Sequence, residues 1–219
     1  MEIYEFGDAA ADSVLIQPVD ARELAGMERE SAAIRRKTGL AFRLAAVPVA
    51  DWSRDLSPWR AEAVFRGEAF GGGAAETLAD ILTLCPDDGR QYIIGGYSLA
   101  GLFSLWAACC TDRFSAVAAA SPSVWFPGFV DYLRDNPPRV RAVSLSLGDK
   151  EERTAHPVMR TVGERIRETQ QLLRAQGIPC ALEWNPGGHF KDPEGRTANA
   201  FACALEQLRR CGGSHAEDR

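Results

Sequence analysis

A lone serine lies at a sharp turn between two apolar runs of different periodicity. Residues Tyr92–Trp106 read YIIGGYSLAGLFSLW, and residues 96–100, GYSLA, differ from the pattern G-x-S-x-G only in the final alanine. In that pattern the serine lies on a strained strand-to-helix turn that exposes its hydroxyl. Ser98 is therefore a candidate nucleophile. The alternative is mechanical, because Gly95 and Gly96 suit any tight reversal from strand to helix.

A serine nucleophile needs a general base, and the sequence contains three histidines, His156, His189 and His215. A serine hydroxyl is weakly nucleophilic at neutral pH unless an imidazole accepts its proton. His215 is in a polar C-terminal segment, and His156 precedes Pro157 at the start of a predicted helix, where a solvated or capping role is expected. His189 follows the last predicted strand on a glycine-containing loop, EWNPGGHF. Alone it would be interpreted as structural, but its position at the same sheet edge as Ser98 favours catalysis.

An acid is expected between the serine and the histidine, because enzymes with this turn carry serine, acid and histidine in that chain order. The segment SLSLGDKEE follows the penultimate predicted strand and offers Asp149, Glu151 and Glu152. A solvated charged loop would account for most of these side chains. One of the three is predicted to orient His189.

Alternating strand-like and helical runs are expected to position these residues. Six runs are predicted as strands: 13–19, 42–49, 92–95, 114–121, 140–148 and 180–188. Helical sequence separates them, with Asp20 as a predicted cap of the first helix and Pro157 and Gly177 bounding a late one. This alternation predicts an α/β protein with parallel strands and helices on both faces of the sheet. Function is then expected at the carboxyl ends of the strands, where Ser98 and His189 fall.

Composition indicates a globular protein with one domain. The 219 residues are 46% hydrophobic and carry a formal net charge of -5, which is enough apolar content for a sizeable core. Basic residues are scattered or paired with acidic ones, which argues against a nucleic-acid surface. No run approaches the roughly 18 apolar residues of a membrane span, and the acidic start lacks an apolar signal region, so a cytoplasmic location is predicted. We expect one domain over residues 1–212 and a disordered polar tail over 213–219.

Neither a metal nor another cofactor is expected. The six cysteines lack a CxxC pair or a histidine cluster, so they are interpreted as buried apolar residues, not as zinc ligands or a disulfide framework. The segment AFGGGAAET superficially resembles a phosphate-binding glycine loop. No predicted strand leads directly into it, and the third glycine of G-x-G-x-x-G is absent, which argues against a nucleotide site.

Five stretches resemble the α/β-hydrolase superfamily, in its branch of esterases similar to esterase D and enterobactin esterase. They cover nearly the whole chain in the expected order: DWSRDLSPW, GGYSLAGLFSLW, SPSVWFPGFVDYL, LSLGDKEE and EWNPGGHFKDP. The resemblance implies a trimmed α/β-hydrolase fold, with a mainly parallel sheet of about six strands and helices on both faces. Two departures are Ala100, where the family usually has glycine, and a chain that begins too late to supply the superfamily's first two strands.

The resemblance also implies a role for individual residues. Ser98 matches the nucleophile, His189 the base, and Glu151 the acid, counted as G-x-x-acid from Gly148. The implied reaction is attack of Ser98 on an ester carbonyl, proton transfer through His189, an acyl-enzyme, and hydrolysis by water.

Further residues are expected around the reacting carbonyl. The backbone N–H of Leu99 matches one oxyanion donor, and a second is expected in the turn after the first strand, at Val19 or Asp20. Four loop aromatic residues either line an acyl or aromatic pocket or pack their loops against the core: Trp52, Trp59, Phe70 and Trp125.

The leading hypothesis is therefore a serine esterase or thioesterase acting on a small soluble ester, without a nucleic-acid or membrane partner. Two alternatives keep the same fold. An acyltransferase would pass the acyl group to an alcohol instead of water, and a binding module would perform no chemistry. A complete serine, acid and histidine set argues against the binding module.

Overall fold

Nine β-strands and eight α-helices form the part of the chain that the computed structural model describes, residues 2–64 and 69–213. The strands are β1 (Tyr4–Gly7), β2 (Ser13–Val19), β3 (Arg43–Pro48), β4 (Arg60–Ala61), β5 (Phe70–Gly71), β6 (Gln91–Tyr97), β7 (Phe114–Ala120), β8 (Ala142–Gly148) and β9 (Cys180–Asn185). The helices are α1 (Ala21–Leu24), α2 (Met27–Thr38), α3 (Trp52–Asp55), α4 (Ala74–Leu82), α5 (Leu99–Cys110), α6 (Phe129–Asp135), α7 (Val162–Ala175) and α8 (Pro193–Gly213). A short 3₁₀ helix, Met159–Thr161, precedes α7.

Seven strands form one sheet in the order β1-β3-β2-β6-β7-β8-β9. Neighbouring strands in it are parallel, except that β1 pairs antiparallel with β3. Strands β4 and β5 form a separate antiparallel pair. The strand order reverses between β2 and β6, since the chain proceeds from β2 to β3 on one side and from β6 towards β9 on the other. Sites of open parallel sheets lie at the carboxyl ends of strands beside such a reversal.

The central strands are buried on both faces of the sheet. Every residue of β2 after Ser13 and every residue of β8 is buried, as is typical of parallel strands covered by helices. On one face Ile16 and Ile94 belong to a core shared with α4, α5, α6 and α7. On the other face Leu15 and Ile93 pack with residues of α2 and α8. The predicted architecture, a mainly parallel sheet with helices on both faces, is confirmed.

Helix α5 fixes the turn that carries the candidate nucleophile. All its residues from Leu99 to Cys109 are buried, and its sequence is apolar on all sides, as expected for a helix surrounded by protein. It packs against β6 and β7. The turn between β6 and α5 is therefore held by a buried strand and a buried helix.

Two features of the N-terminal region differ from the prediction. The sheet has seven strands, where about six were expected, because β1 adds to its edge. Three of the four β1 residues are exposed, so the sequence YEFG shows no buried alternation that would predict a strand. The helix predicted after Asp20 is divided into two at Gly26. Asp20 caps α1 as predicted, since its carboxylate accepts a hydrogen bond from the N–H of Glu23 at 2.7 Å.

Three of the six cysteines are buried, as predicted, and three are not: Cys110 is exposed, and Cys203 and Cys211 are partly exposed. Cys85, Cys109 and Cys180 are buried free thiols, and burial raises the pKa of each to about 12, which keeps them protonated and apolar in character.

Helix α8 ends at Gly213, and the remainder of the predicted polar tail lies outside the described residues. Within residues 2–64 and 69–213, no helix is both long and apolar enough to cross a membrane.

Candidate active site

Ser98 occupies a strained backbone conformation at the carboxyl end of β6. Its φ of 55° and ψ of -114° are rarely adopted by residues other than glycine. Its N–H donates to the carbonyl of Ala120 at 3.0 Å, and its own carbonyl accepts from the N–H of Ser123 at 3.0 Å. Strain of this kind persists only where the surroundings over-determine it, and it clusters at functional sites.

The two glycines before Ser98 are required by close approach of neighbouring atoms. A Cβ on Gly95 would lie 2.5 Å from the carbonyl oxygen of Ala118, and a Cβ on Gly96 would lie 2.6 Å from the Cβ of Ala100. The alanine that departs from the G-x-S-x-G pattern thus fits in the space that Gly96 leaves open. The mechanical interpretation of the glycines and the chemical interpretation of the serine are compatible.

His189 lies beside Ser98 on the loop after β9. Its Nε2 is 3.0 Å from Oγ of Ser98, and its Nδ1 is 2.7 Å from Oε2 of Glu151. The hydroxyl of Tyr97 donates to the backbone carbonyl of His189, and the Tyr97 ring lies 5.2 Å from the imidazole, centroid to centroid. The imidazole is therefore fixed from three sides, and its side chain is 17% exposed.

Glu151 is almost completely buried, with a side-chain exposure of 1%. Besides His189 on Oε2, its Oε1 accepts from the N–H of Gly148 at 2.7 Å, the hydroxyl of Ser121 at 2.8 Å and the guanidinium of Arg196 at 2.8 Å. Burial raises the pKa of Glu151, but the hydrogen bond and charge of His189, followed by the hydrogen bonds from Gly148 and Ser121, outweigh it, so the pKa lies below its ordinary value. The carboxylate is held in the ionised form that can pair with an imidazolium.

The two neighbouring acids have other partners. Asp149 is exposed, and its Oδ1 accepts a hydrogen bond from the N–H of Gly187 at 2.7 Å. Glu152 forms an ion pair with Arg167 at 3.1 Å. Of these three acids, Glu151 is the one that lies against His189. Asp149 instead binds the backbone of the loop that carries His189.

Several residues around Ser98, His189 and Glu151 were not predicted from the sequence. Arg196, on the first turns of α8, and Ser121, after β7, both donate to the buried acid. The hydroxyl of Ser123 lies 3.3 Å from the hydroxyl of the candidate nucleophile. Asp192 and Pro193 are common residues at a helix start, so the helix carrying Arg196 had a sequence signal. The direction of the Arg196 side chain had none.

The predicted oxyanion donors lie in two turns at the same sheet edge. The N–H of Leu99 is the first of α5, and such N–H groups have no acceptor within their helix. The N–H of Asp20 donates to the carboxylate of Glu23 at 3.3 Å as part of a capping box. The carbonyl of Val19 accepts from Val49 at 2.9 Å. The oxyanion roles of Leu99 and of Val19 or Asp20 stay predictions.

A cavity of about 420 Å³ opens beside the Ser98 and His189 side chains. Its surface is mostly apolar, and its lining includes Trp125, Met159, Phe190, Thr154, Lys150 and His156. Phe190 is 91% exposed, so an aromatic ring stands at the cavity mouth next to His189. The arrangement offers an apolar surface within reach of the serine hydroxyl.

The four loop aromatic residues divide between the cavity and the core. Trp125 lines the cavity, and Phe70 packs behind it with a centroid distance of 6.3 Å. The indole N–H of Trp59 donates to the carbonyl of Pro127 at 3.0 Å, and Trp52 packs against the main core. Of the four residues, Trp125 lines this cavity, and the contacts of the other three are with the core or with neighbouring loops. A role in substrate binding stays a prediction.

His156 has backbone hydrogen-bond partners of its own. His156 caps the short helix that begins at Met159, whose N–H lies 3.4 Å from Nδ1, and Nε2 donates to the carbonyl of Val64 at 2.9 Å. This agrees with the capping role expected of it, although the ring also lines the cavity. His215 lies outside the described residues. Within those residues, no group of three or more His, Cys, Asp or Glu side chains could hold a metal ion.

No family model matches the sequence, and no curated protein matches it. Solved structures do match. A siderophore hydrolase, EstA from Aspergillus nidulans, is 20% identical over 92% of this chain and 85% of its own, with a TM-score of 0.63. An IroE-like serine hydrolase from Shewanella oneidensis is 13% identical over 92% of this chain and 74% of its own, with a TM-score of 0.73.

The enterobactin esterase FES from Shigella flexneri, in the presence of 2,3-di-hydroxy-N-benzoyl-serine, is also similar. It is 14% identical over 94% of this chain, with a TM-score of 0.64, and this chain spans 55% of its length. These likenesses show that the chain has the α/β-hydrolase fold, as the sequence predicted. At such identities they show the fold alone.

Proposed function

We propose that this protein is a serine hydrolase that cleaves a carboxylic ester or thioester of a small soluble substrate through an acyl-enzyme on Ser98, without a cofactor. The observation that carries the proposal is the chain of hydrogen bonds from Ser98 through His189 to Glu151, with distances of 3.0 Å and 2.7 Å. Similar structures described as a siderophore hydrolase, a ferulic acid esterase and an enterobactin esterase support ester cleavage.

The first step is attack of Ser98 Oγ on the ester carbonyl carbon. The hydroxyl proton passes to Nε2 of His189 as the O–C bond forms. Because the ionised Glu151 accepts at Nδ1, Nδ1 keeps its proton and Nε2 presents a lone pair to the serine. The Glu151 carboxylate then stabilises the imidazolium that results.

The negative charge that develops on the carbonyl oxygen needs hydrogen-bond donors. The first turn of α5 supplies the N–H of Leu99, adjacent to the attacking hydroxyl, and the positive end of the helix dipole favours an anion there. The loop after β2 flanks the same sheet edge, because β2 pairs with β6. We assign the second donor to it at Val19 or Asp20, and the N–H of Asp20 would release the carboxylate of Glu23 when it binds the oxyanion.

Collapse of the tetrahedral intermediate releases the first product. His189 gives its Nε2 proton to the alcohol or thiol leaving group as the bond from carbon to that group breaks. Water then attacks the acyl-enzyme, His189 accepts the water proton, and the same sequence in reverse frees the carboxylic acid and Ser98.

The cavity next to Ser98 suits a substrate with an apolar or aromatic portion. Its Trp125, Met159 and Phe190 surfaces favour burial of such a group, which is worth about 25 cal/mol for each Å² removed from water. A volume of about 420 Å³ is at the small end of the range for ligand sites, which agrees with a small substrate.

A panel of p-nitrophenyl esters and thioesters of increasing acyl length tests the proposal, with Ser98→Ala as the control. We expect an initial burst of leaving group followed by turnover, and neither in the variant. A repeat with added alcohol separates hydrolysis from acyl transfer: free acid supports a hydrolase, and a new ester identifies an acyltransferase. The absence of both burst and turnover across the panel would contradict an enzyme of this class.

A further inference from the structure

Arg196 places a buried positive charge directly behind the triad. Its side chain is 3% exposed, and its guanidinium lies 2.8 Å from Oε1 of Glu151. A buried charge is costly unless it is paired and its donors are satisfied. Here both conditions hold, because the paired carboxylate is 1% exposed and the guanidinium has further acceptors around it.

The guanidinium contacts the last residue of one strand and the segments that follow three others. One terminal nitrogen donates to Glu151 after β8, and it lies 3.2 Å from the hydroxyl of Tyr97 in β6 and 3.3 Å from that of Ser121 after β7. The other terminal nitrogen donates to the backbone carbonyls of Pro186 at 3.2 Å and Gly188 at 3.0 Å after β9. One planar side chain thus fixes the acid and the loop of His189 relative to each other.

The geometry points to Arg196 as a positioning residue for the triad, which holds Glu151 and the His189 loop in register and neutralises the charge of the Glu151 carboxylate. This inference rests on the proposed function, since it concerns how the same triad works. Arg196 acts through Glu151 and the loop, and its role differs from that of a general base or acid.

The charge on Arg196 has a consequence for the proton of His189. When the imidazolium loses its proton, Glu151 remains paired with Arg196, so no isolated anion is left buried. Without the guanidinium, the same proton loss would leave a lone buried carboxylate, which costs free energy. The imidazolium of His189 would therefore lose its proton only at a higher pH.

Other groups around the imidazole do not supply this compensation. Tyr97 and Phe190 contact the ring through their aromatic rings, and Lys150, which is exposed, lines the cavity together with His156. The described contacts of Glu151 include one permanently charged group, Arg196. The pH dependence of the pair is thus expected to respond to Arg196 specifically.

Three variants separate charge from geometry. Arg196→Met removes both the charge and the geometry, and we expect kcat to fall on the order of 100-fold, the scale for misplaced catalytic groups. The acid limb of the pH profile, where kcat/KM rises with pH, should move up by about one pH unit. Arg196→Lys keeps the cation but loses the planar fork, so kcat should fall about tenfold with the acid limb in place. Arg174→Met is the matched control, because Arg174 donates two hydrogen bonds to Cys180 at the other end of β9, and it should change neither.

Nuclear magnetic resonance titration of the His189 ring supplies a readout that needs no substrate, with the signal assigned from its loss in His189→Ala. The titration midpoint should rise in Arg196→Met and stay unchanged in Arg196→Lys and Arg174→Met. If wild type cleaves no ester and Ser98 is unreactive, the proposed function fails, and this titration still tests Arg196.

A purely structural role for Arg196 predicts a different outcome. In that case Arg196→Met would lower the thermal stability but leave kcat, the acid limb and the His189 ring titration as in wild type. This result, measured well below the melting temperature, would overturn the inference. Should Arg196→Met not fold, Arg196→Lys decides: a full wild-type kcat in that variant rejects the positioning role. The double variant Arg196→Met with Glu151→Gln removes both buried charges and should recover folding but not activity.

Discussion

The carboxylate of Glu151 lies 2.7 Å from Nδ1 of His189, although Asp149 is two residues nearer to the end of the preceding strand. The Asp149 side chain turns to the N–H of Gly187 instead. The longer glutamate side chain reaches back into the protein from a turn in which the N–H of Glu151 donates to the carbonyl of Gly148 at 3.1 Å.

Glu151→Gln is expected to lower kcat on the order of 10⁴-fold, the scale seen when the acid of such a triad is neutralised. The neutral amide cannot stabilise the imidazolium. Its NH₂ group can also donate to Nδ1 of His189, which favours the wrong tautomer of the imidazole. Asp149→Asn should lower kcat much less, because an amide oxygen can still accept the hydrogen bond from the N–H of Gly187. Comparison of the two variants at matched thermal stability checks this. A larger kinetic loss for Asp149→Asn would transfer the role to Asp149, and negligible losses for both would indicate a dyad of serine and histidine.

His189→Ala is expected to abolish measurable turnover, whereas His156→Ala should retain most of kcat, since His156 bonds to the backbone of Val64 and Met159. For wild type, kcat/KM should rise with pH along an acid limb, because only a neutral imidazole can accept the proton of Ser98. Steady-state kinetics over a range of pH checks both statements. A flat profile with chemistry rate-limiting, or equal losses in the two variants, would reject His189 as the base.

The sequence predicted the central architecture well because buried parallel strands are continuous apolar runs. The bounds predicted for β2 agree with the structure, 13–19, and each predicted strand corresponds to an observed one. The exposed edge strand β1 carries no such pattern and was missed. Ser98 and His189 could be selected because each follows a strand at one sheet edge, but their proximity is visible only in the folded chain.

Arg196 shows what the sequence could not predict. Arginines are usually exposed, and a single arginine near a helix start reads as a solvated residue. Its role depends on contacts with residues 75 and 45 positions earlier, Ser121 and Glu151, which no local pattern encodes. The choice of Glu151 over Asp149 likewise came from a family resemblance, because local spacing offered both.

Gly96→Ala is expected to destabilise the fold by about 1 to 3 kcal/mol, the usual cost of overpacking, because its Cβ would lie 2.6 Å from the Cβ of Ala100. Adding Ala100→Gly removes that clash, so the double variant should be more stable than Gly96→Ala alone, despite the cost of a helical glycine. Chemical denaturation of Gly96→Ala, Ala100→Gly and the double variant measures the coupling between the two substitutions.

Gly95→Ala is the matched control for that cycle. Its Cβ would meet the backbone carbonyl of Ala118 at 2.5 Å, which Ala100→Gly leaves in place, so no rescue is expected. Additive effects of Gly96→Ala and Ala100→Gly would contradict the account of how alanine replaces the last glycine of the pattern.

Glu23 is expected to make the protein more stable at mildly acidic pH. Burial is the main cause that raises its pKa from 4.5 to about 7, so between these values the folded state keeps a proton that the unfolded state has lost. The free energy of unfolding should therefore fall as pH rises from about 4.5 to about 7, by about 3 kcal/mol from this group. Glu23→Gln preserves the capping box and should remove that share of the slope. Parallel stability curves for wild type and the variant across this range would show that Glu23 does not titrate as described.

Covalent labelling of Ser98 is the most direct test of the proposed mechanism. A fluorophosphonate reacts with a serine that a neighbouring imidazole activates, and peptide mass mapping identifies the modified residue. We expect one labelled peptide in wild type, and it should contain Ser98. Labelling should be lost in Ser98→Ala and strongly slowed in His189→Ala. Ser123→Ala alters the hydroxyl 3.3 Å away and should keep the label on Ser98. Labelling of another residue with Ser98 intact and unmodified, or no reaction of folded wild type, would contradict Ser98 as the nucleophile.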